Sequence, residues 1–117
     1  MKKDIVQLFN QNKRGITIPG ELYSALSSLI LSKILEKPSG KLFLTELLDY
    51  VYINKDKLSD KGNIGWWLIQ VKRDLSARNI IRTSITPTLR QYLELKKSKR
   101  LATYLIENIV TLRELRP

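Results

Sequence analysis

The stretch from Asn63 to Ile81, NIGWWLIQVKRDLSARNII, constrains the fold more than any other part of the chain. Four aliphatic residues recur in it at spacings of four, three and four: Ile64, Leu68, Val71 and Leu75. At about 100° per residue this spacing places them on one face of a helix. The stretch therefore predicts an amphipathic helix over residues 63–79.

Residues at the two ends of this helix suit their positions. The Asn63 side chain can cap the first turn by accepting from a free backbone amide. Asn79 tolerates the left-handed conformation that ends a helix. The β-branched pair that follows starts a predicted strand, Ile80–Ile85.

The helical repeat separates a buried face from an exposed one. Trp67 and Arg78 lie at the edge of the apolar stripe, and Trp67 is expected in the core. The opposite face carries Trp66, Ile69, Gln70, Arg73 and Ala77, with Lys72 and Ser76 beside them. The predicted outer face thus presents cations, an amide and an indole.

Three elements are predicted before this helix. Residues 2–12 form a short amphipathic helix, and residues 16–18 are extended because they precede Pro19 and could pair with a later hairpin. A long helix follows from Pro19 to Glu36, with Tyr23, Leu26, Ile30 and Ile34 inward. A second helix from Glu46 to Tyr52, capped by Thr45, leads into a polar linker at residues 53–62.

Residues 86–97 allow two structural interpretations. Thr86-Pro87-Thr88 fits a turn, with a returning strand from Arg90 to Lys96 and with Arg82 and Arg90 near the tip of the hairpin. Alternatively a helix starts at Pro87, capped by Thr86. The hairpin is preferred. A last helix, Lys99–Leu115 capped by Ser98, then either serves as a dimer arm or folds back on the Pro19–Glu36 helix.

Composition narrows the function. The 117 residues suit one domain, and 21 Lys and Arg against 11 Asp and Glu give a net charge of +10, which favours a polyanionic partner. Without Cys or His there is no thiol nucleophile, imidazole base or typical zinc site. We expect no enzyme activity, no cofactor and no metal. No signal peptide or membrane span is recognisable, so a cytoplasmic location is expected.

The helix that ends in DLSARNIIRTSI resembles the third helix and following strand of the winged helix-turn-helix DNA-binding domain superfamily. The resemblance covers residues 23–97. It implies a mainly α fold with a small antiparallel β-hairpin, extended by terminal helices. The single domain would comprise an N-terminal segment (1–18), a winged-helix core (19–97) and a C-terminal helix (98–117). It also implies that the third helix reads DNA and that the hairpin forms a wing.

The leading hypothesis is a transcriptional regulator that binds duplex DNA as a homodimer, with the C-terminal helix as the expected dimer contact. Gln70 and Arg73 are residue types that recognise base edges, whereas Lys72 suits phosphate. The basic run at residues 96–100 would meet the backbone beside the wing. The predicted contacts are Lys61, Asn63, Trp66, Gln70, Lys72, Arg73, Arg82, Arg90, Lys96, Lys97, Lys99 and Arg100.

An alternative function uses the same helix face without DNA. Trp66 and Ile69 are unusual on a DNA-reading surface and suit a protein-interaction module of the same fold. A peripheral membrane role through the basic last helix is a third hypothesis. Neither a ligand pocket nor an effector is predicted.

Overall fold

Ten helices and strands make up the described part of the chain, which covers residues 4–9, 16–54, 63–96 and 98–115 of a computed structural model. In order they are β1 (Ile5–Gln7), β2 (Thr17–Pro19), α1 (Gly20–Glu36), β3 (Leu42–Phe43), α2 (Leu44–Ile53), α3 (Ile64–Ala77), β4 (Ile81–Ile85), β5 (Gln91–Leu95), α4 (Lys99–Glu107) and α5 (Ile109–Glu114). The expected class, mainly α with small antiparallel sheet, is confirmed.

The N-terminal segment is a strand where a helix was predicted. β1 pairs antiparallel with β2, so residues 16–18 are extended as expected but pair with β1 and not with the hairpin. Burial alternates along the segment, since Val6 and Leu8 are buried while Ile5 is exposed. Burial that repeats every two residues is typical of a strand with one face packed against the core. The remainder of the predicted 2–12 helix at residues 2–3 and 10–12 lies outside the described residues.

α1 is the central helix of the core. Its predicted stripe of Tyr23, Leu26, Ile30 and Ile34 is buried as expected. The apolar face of α1 is wide enough to pack against several elements, and α1 contacts α3, α4, β2 and β5. Pro19 precedes the first turn, with an extended ψ of 135°.

α2 begins two residues earlier than predicted, and Thr45 is not its cap. Thr45 already lies inside the helix, and the Glu46 carboxylate accepts the Phe43 backbone N–H at 3.3 Å. The acid therefore satisfies a free amide at the positive end of the helix. Leu47 and Val51 face inward as expected.

The predicted stripe of α3 is buried along its whole length: Ile64, Leu68, Val71 and Leu75. The helix ends at Ala77, and Asn79 adopts φ 63° as predicted for a left-handed stop. Asn63 precedes the first turn, but its side chain makes no capping hydrogen bond, so that prediction is wrong. β4 starts directly after the stop.

Residues 81–95 form a hairpin, so the helical alternative for residues 86–97 is wrong over its described part. β4 and β5 pair from Ile81↔Leu95 to Ile85↔Gln91. β5 also pairs with β3, a short strand that was not predicted, giving the order β3-β5-β4. Leu42 and Leu93 face the core from neighbouring strands. We call residues 81–95 the wing hairpin, after the wing that the resemblance implies at this place in the sequence.

The last helix is broken in two. Ser98 caps α4 as predicted, its hydroxyl oxygen accepting the Leu101 amide at 3.1 Å. The break falls at Asn108, whose side-chain amide donates to the Tyr104 carbonyl at 2.9 Å and competes with the helical pattern. One continuous helix to Leu115 was therefore wrong. α4 packs on α1, as the fold-back alternative predicted.

Candidate nucleic-acid interface

The outer face of α3 holds fewer polar groups than its sequence suggests. Trp66 is 48% exposed, and its ring lies edge-on to Trp67 with the centroids 4.9 Å apart. Arg73 is exposed on the same face, while Ile69 is half-buried. Arg73 is thus the one cation among the described residues of α3 that projects into solvent.

Two predicted contact residues on α3 are buried, which corrects their assignment. Gln70 is 8% exposed and Lys72 is 7% exposed. The Lys72 Nζ donates to the Gln91 side-chain oxygen at 2.6 Å, so this lysine joins α3 to the wing hairpin. Burial, with a smaller contribution from Arg73, holds the pKa of Lys72 below its ordinary value. Neither side chain is exposed on the outer face of α3 as predicted, because neighbouring elements cover an arc of the helix that is wider than its apolar stripe.

Arg90 and Arg82 occupy different ends of the wing hairpin. Arg90 lies at the tip, next to the last strand pair, as predicted. Arg82 lies opposite Glu94 near the base of the hairpin, and their side chains pair with Nη2 and Oε1 3.1 Å apart. The placement of Arg82 near the tip was therefore wrong, since the turn comes three strand pairs later.

Cations and aromatic rings alternate on one face of the sheet. Lys41 lies over the ring of Tyr92 with Nζ 5.1 Å from the centroid. Arg90 stacks on Phe43 at 3.9 Å, and the two rings meet edge-to-face at 5.9 Å. Cation–π contact holds both charges at the surface without neutralising them. We call these four residues the cation–aromatic row.

The spacing of these four residues in the sequence is a signal for the cation–aromatic row. Lys41 and Phe43 are two residues apart, as are Arg90 and Tyr92. A spacing of two places each pair on one face of a strand. The signal became useful only with β3, because pairing of Phe43 with Tyr92 brings the two strands together.

The basic run forms the base of this surface. The Lys96 Nζ donates to the Asn79 side-chain oxygen at 3.0 Å. Lys99 and Arg100 are exposed in the first turn of α4. Cations at the positive end of a helix are locally unfavourable, so helix stability does not account for them. Asn63 is exposed beside α3, whereas Lys61 and Lys97 lie outside the described residues.

Ion pairing divides the cations into two groups. Five pairs occur within the described ranges: Lys33–Glu36, Lys37–Glu46, Arg78–Asp74, Arg82–Glu94 and Arg113–Asp4. The described cations without an acidic partner are Lys41, Lys72, Arg73, Arg90, Lys96, Lys99 and Arg100. All seven lie in α3, in or beside the three-stranded sheet, or in the first turn of α4. Unpaired positive charge is thus confined to these elements, where the sheet also carries the Arg82–Glu94 pair.

A buried polar cluster lies on the core side of α3, and the sequence analysis did not predict it. Asp74 is fully buried and accepts from three groups: Arg78 Nε at 2.8 Å, the Tyr23 hydroxyl at 2.7 Å and the Phe9 amide at 2.9 Å. The i,i+4 spacing of Asp74 and Arg78 was an available signal for pairing. Nothing in that spacing indicated burial, because most such pairs lie on solvated helix faces.

The fold and this surface define a small basic protein, mainly α-helical, with a β-hairpin beside a surface of unpaired cations. The family model described as "Family of unknown function (DUF6958)" matches residues 5–91, and the chain belongs to this family. Searches of curated proteins and of solved structures find no significant match. In the described ranges, no helix combines the length and apolarity needed to cross a lipid bilayer.

Proposed function

We propose that this protein is a winged helix-turn-helix protein that binds duplex DNA and acts in transcriptional regulation. The element order supports this assignment, since three helices, α1 to α3, precede the hairpin and α3 runs directly into it. This is the order expected from the resemblance of residues 63–85 to a third helix and wing. Lys72 links the hairpin to α3, so both elements would meet a duplex as one unit.

The distribution of unpaired cations carries the proposal. Charges scattered for solubility would be distributed over all faces. In the described chain the cations outside α3, the sheet and the start of α4 are paired with acids, and within the sheet only Arg82 is paired, with Glu94. Arg73, Arg90, Lys41, Lys96, Lys99 and Arg100 are exposed instead on α3, the sheet and the start of α4. A duplex offers closely spaced phosphates along this length, and each contact would release counterions.

The side chains divide into two roles under this proposal. Arg73 is the residue type that recognises guanine in the major groove, and it is the exposed candidate on α3. Arg90 and Lys41 are held on aromatic rings and would contact phosphates, which gives affinity without sequence choice. With Gln70 and Lys72 buried, sequence selection through α3 would depend on few contacts. Phosphate binding therefore provides most of the expected affinity.

A salt titration of binding to a random duplex, followed by fluorescence anisotropy, tests this function. We expect log affinity to fall linearly with log salt, with a slope of about 0.9 per neutralised phosphate. Lys41→Gln and Arg90→Gln should each reduce the slope by about one. Lys33→Gln is the matched control, because it removes the same charge from an ion pair with Glu36 on α1. Absence of binding at low salt, or an equal effect of Lys33→Gln, would refute the proposal.

A protein-interaction role is the second candidate, and the outer face of α3 favours it. Trp66 is half exposed on a surface that contains a single charged residue in the described helix, Arg73. Indole rings are enriched at the centres of protein interfaces. Tyr104 on α4 is exposed as well, so self-association through the C-terminal helices belongs to the same alternative. Sedimentation of Trp66→Ala and Tyr104→Ala separates the two surfaces: an unchanged mass for both would exclude self-association through either.

A further inference from the structure

The tip of the wing hairpin is apolar. Leu89 is 84% exposed, the highest value among the large hydrophobic residues described, and Ile85 is 62% exposed. Pro87 lies between them in the turn. The two aliphatic side chains contribute nothing to the core, since they project beyond it at the end of the hairpin. The tip is therefore an apolar point on a basic surface.

Leu89 is also held in an unfavourable backbone conformation. Its φ is 64°, the left-handed region in which Cβ crowds the following carbonyl. The other described positive-φ positions are Asn79 and Gly40, the residue types that accept this conformation. Leucine at such a position costs the fold energy and contributes no packing in return. Strained residues of this kind concentrate at sites where the side chain has a function.

Hydrogen bonds fix the tip in place. The Leu89 amide donates to the Thr86 carbonyl at 2.8 Å, and the Thr86 amide donates to the Arg90 carbonyl at 2.9 Å. The Thr86 hydroxyl accepts the Arg90 amide at 3.0 Å and contacts the Thr88 hydroxyl at the same distance. Leu89 is thus presented by a closed turn, so little conformational freedom is lost when it enters a partner.

The charges around the tip indicate the partner. Arg90 follows Leu89 directly, and Lys41 lies further along the same sheet face. A duplex matches this pattern, because its phosphates are anionic while the interior between stacked bases is apolar. An anionic membrane fits less well, since two aliphatic side chains bury too little area for stable anchoring when even one acyl chain binds marginally.

We propose that Leu89 is a wedge that enters a base step from the minor groove and bends the duplex. Proteins of several folds unstack a step with an apolar side chain and gain contacts along the bent DNA. Arg90 would hold the adjacent phosphate, with Ile85 covering the opened step. Flexible pyrimidine–purine steps are the expected targets, because they unstack most easily. This inference rests on the proposed duplex binding.

Leu89→Gly tests the wedge without harming the fold, because glycine removes the side chain and accepts the left-handed conformation. We would measure bending by energy transfer between the ends of a duplex with a central TA step, and unstacking by the fluorescence of 2-aminopurine at that step. The wild type should bend the duplex and raise the fluorescence. Leu89→Gly should lose both signals and bind roughly tenfold more weakly, the lower end for one leucine removed from an apolar site. The Leu89→Phe variant should keep both signals.

The outcomes separate this inference from the proposed function. If the wild type binds the duplex with a steep salt dependence but Leu89→Gly bends it equally, the wedge is wrong and duplex binding stands. If the wild type binds no duplex at low salt, both proposals fall. If Leu89→Gly instead abolishes binding to phosphatidylserine vesicles while leaving duplex bending intact, the tip is a membrane contact and the wedge is refuted.

Discussion

Arg78 and Asp74 form an ion pair inside the protein, with Nε 2.8 Å from Oδ2 and side chains 1% and 0% exposed. The Arg78 Nη1 also donates to the carbonyls of Leu112, Arg113 and Leu115 at 2.6 to 3.2 Å. These carbonyls lie at the end of α5 and directly after it, where a helix lacks backbone donors for its last carbonyls. Asp74 meanwhile accepts the amide of Phe9. One pair at the C-terminal end of α3 therefore joins both ends of the described chain to the centre of the fold.

Breaking this pair should be costly. In Arg78→Met the stem is preserved, but Asp74 loses its cation and the last carbonyls of α5 lose a donor. We expect the free energy of unfolding to fall by about 3–5 kcal/mol, the cost of leaving a buried charge without its partner. Urea denaturation followed by tryptophan fluorescence measures this loss.

A surface pair in the same protein provides the control. Arg82→Met removes the partner of Glu94, whose pair is largely exposed on the Arg82 side. Exposed pairs contribute at most about 1 kcal/mol, so this variant should remain close to the wild type. Equal losses in Arg78→Met and Arg82→Met would show that the buried Arg78–Asp74 pair contributes no more stability than a surface pair.

Tyr23 should make stability depend on alkaline pH. Burial first, and the Asp74 carboxylate second, raise the pKa of its phenol well above the ordinary value of 10.0. The folded state thus keeps its proton where the unfolded state loses it. This contribution is fully present below about pH 10 and decreases as the pH rises further. Tyr23→Phe should lose about 1.5–3 kcal/mol at pH 7 with the hydrogen bond to Asp74, and its stability should fall less steeply above pH 10.

Denaturation of Tyr23→Phe and wild type at pH 7, 9 and 11 checks this expectation. Tyr104→Phe, on the exposed face of α4, is the matched control and should change stability by less than about 0.5 kcal/mol at pH 7. Parallel curves for Tyr23→Phe and wild type between pH 9 and 11 would contradict the assignment.

Leu89→Gly should stabilise the protein. A left-handed conformation costs an L-residue about 1–2 kcal/mol, which glycine would recover. The greater flexibility of glycine in the unfolded chain offsets about 0.5–1 kcal/mol of this stabilisation. The expected net increase is about 1 kcal/mol, measured as a higher midpoint of thermal unfolding. Asn79→Gly is the control and should gain no stability, because asparagine already accepts φ 63° and the substitution also removes the hydrogen bond from Lys96. If Leu89→Gly were destabilised, the residue would be serving the fold and not a partner.

Arg73 and Lys72 are adjacent in sequence and should differ in DNA binding. Arg73 is exposed, whereas Lys72 is buried against Gln91. Under the proposed function, Arg73→Gln should reduce the salt slope of duplex binding by about one, and Lys72→Met should leave it unchanged. A loss of slope with Lys72→Met and not with Arg73→Gln would mean that α3 meets DNA in another orientation.

Local pattern was sufficient for most elements of the core. The apolar repeats of α1 and α3 are strong, and Asn79 and Ser98 mark helix ends by chemistry that acts within a few residues. The turn at Pro87 likewise depends on nearby residues. The predictions were wrong where the secondary structure depends on a partner that is distant in the sequence. β1 became a strand because β2 lies beside it, and β3 is two residues long with β5 as its partner.

The candidate surface was less accessible to sequence reasoning. Arg73 and Arg90 were found because their positions follow from the helix repeat and the turn. Gln70 and Lys72 were wrongly predicted to be exposed. A helical projection gives the direction of each side chain around the helix axis, but it does not show how much of the helix surface the neighbouring elements cover. Lys41 and Phe43 were not predicted as part of the surface, because β3 and its pairing with β5 were not predicted. Leu89 gave no signal, since its positive φ exists only in the closed turn.

The sequence by itself determined where α1 and α3 run, where α3 stops and that the protein is strongly basic, and it favoured a hairpin after α3 without deciding it. These features depend on short-range sterics, capping and periodicity. Only the tertiary structure decided which cations are paired, that Arg78 and Asp74 are buried, and that Lys41 and Arg90 share one sheet face. Those properties depend on contacts between residues far apart in the chain, and the position of each partner is fixed only when the core has packed.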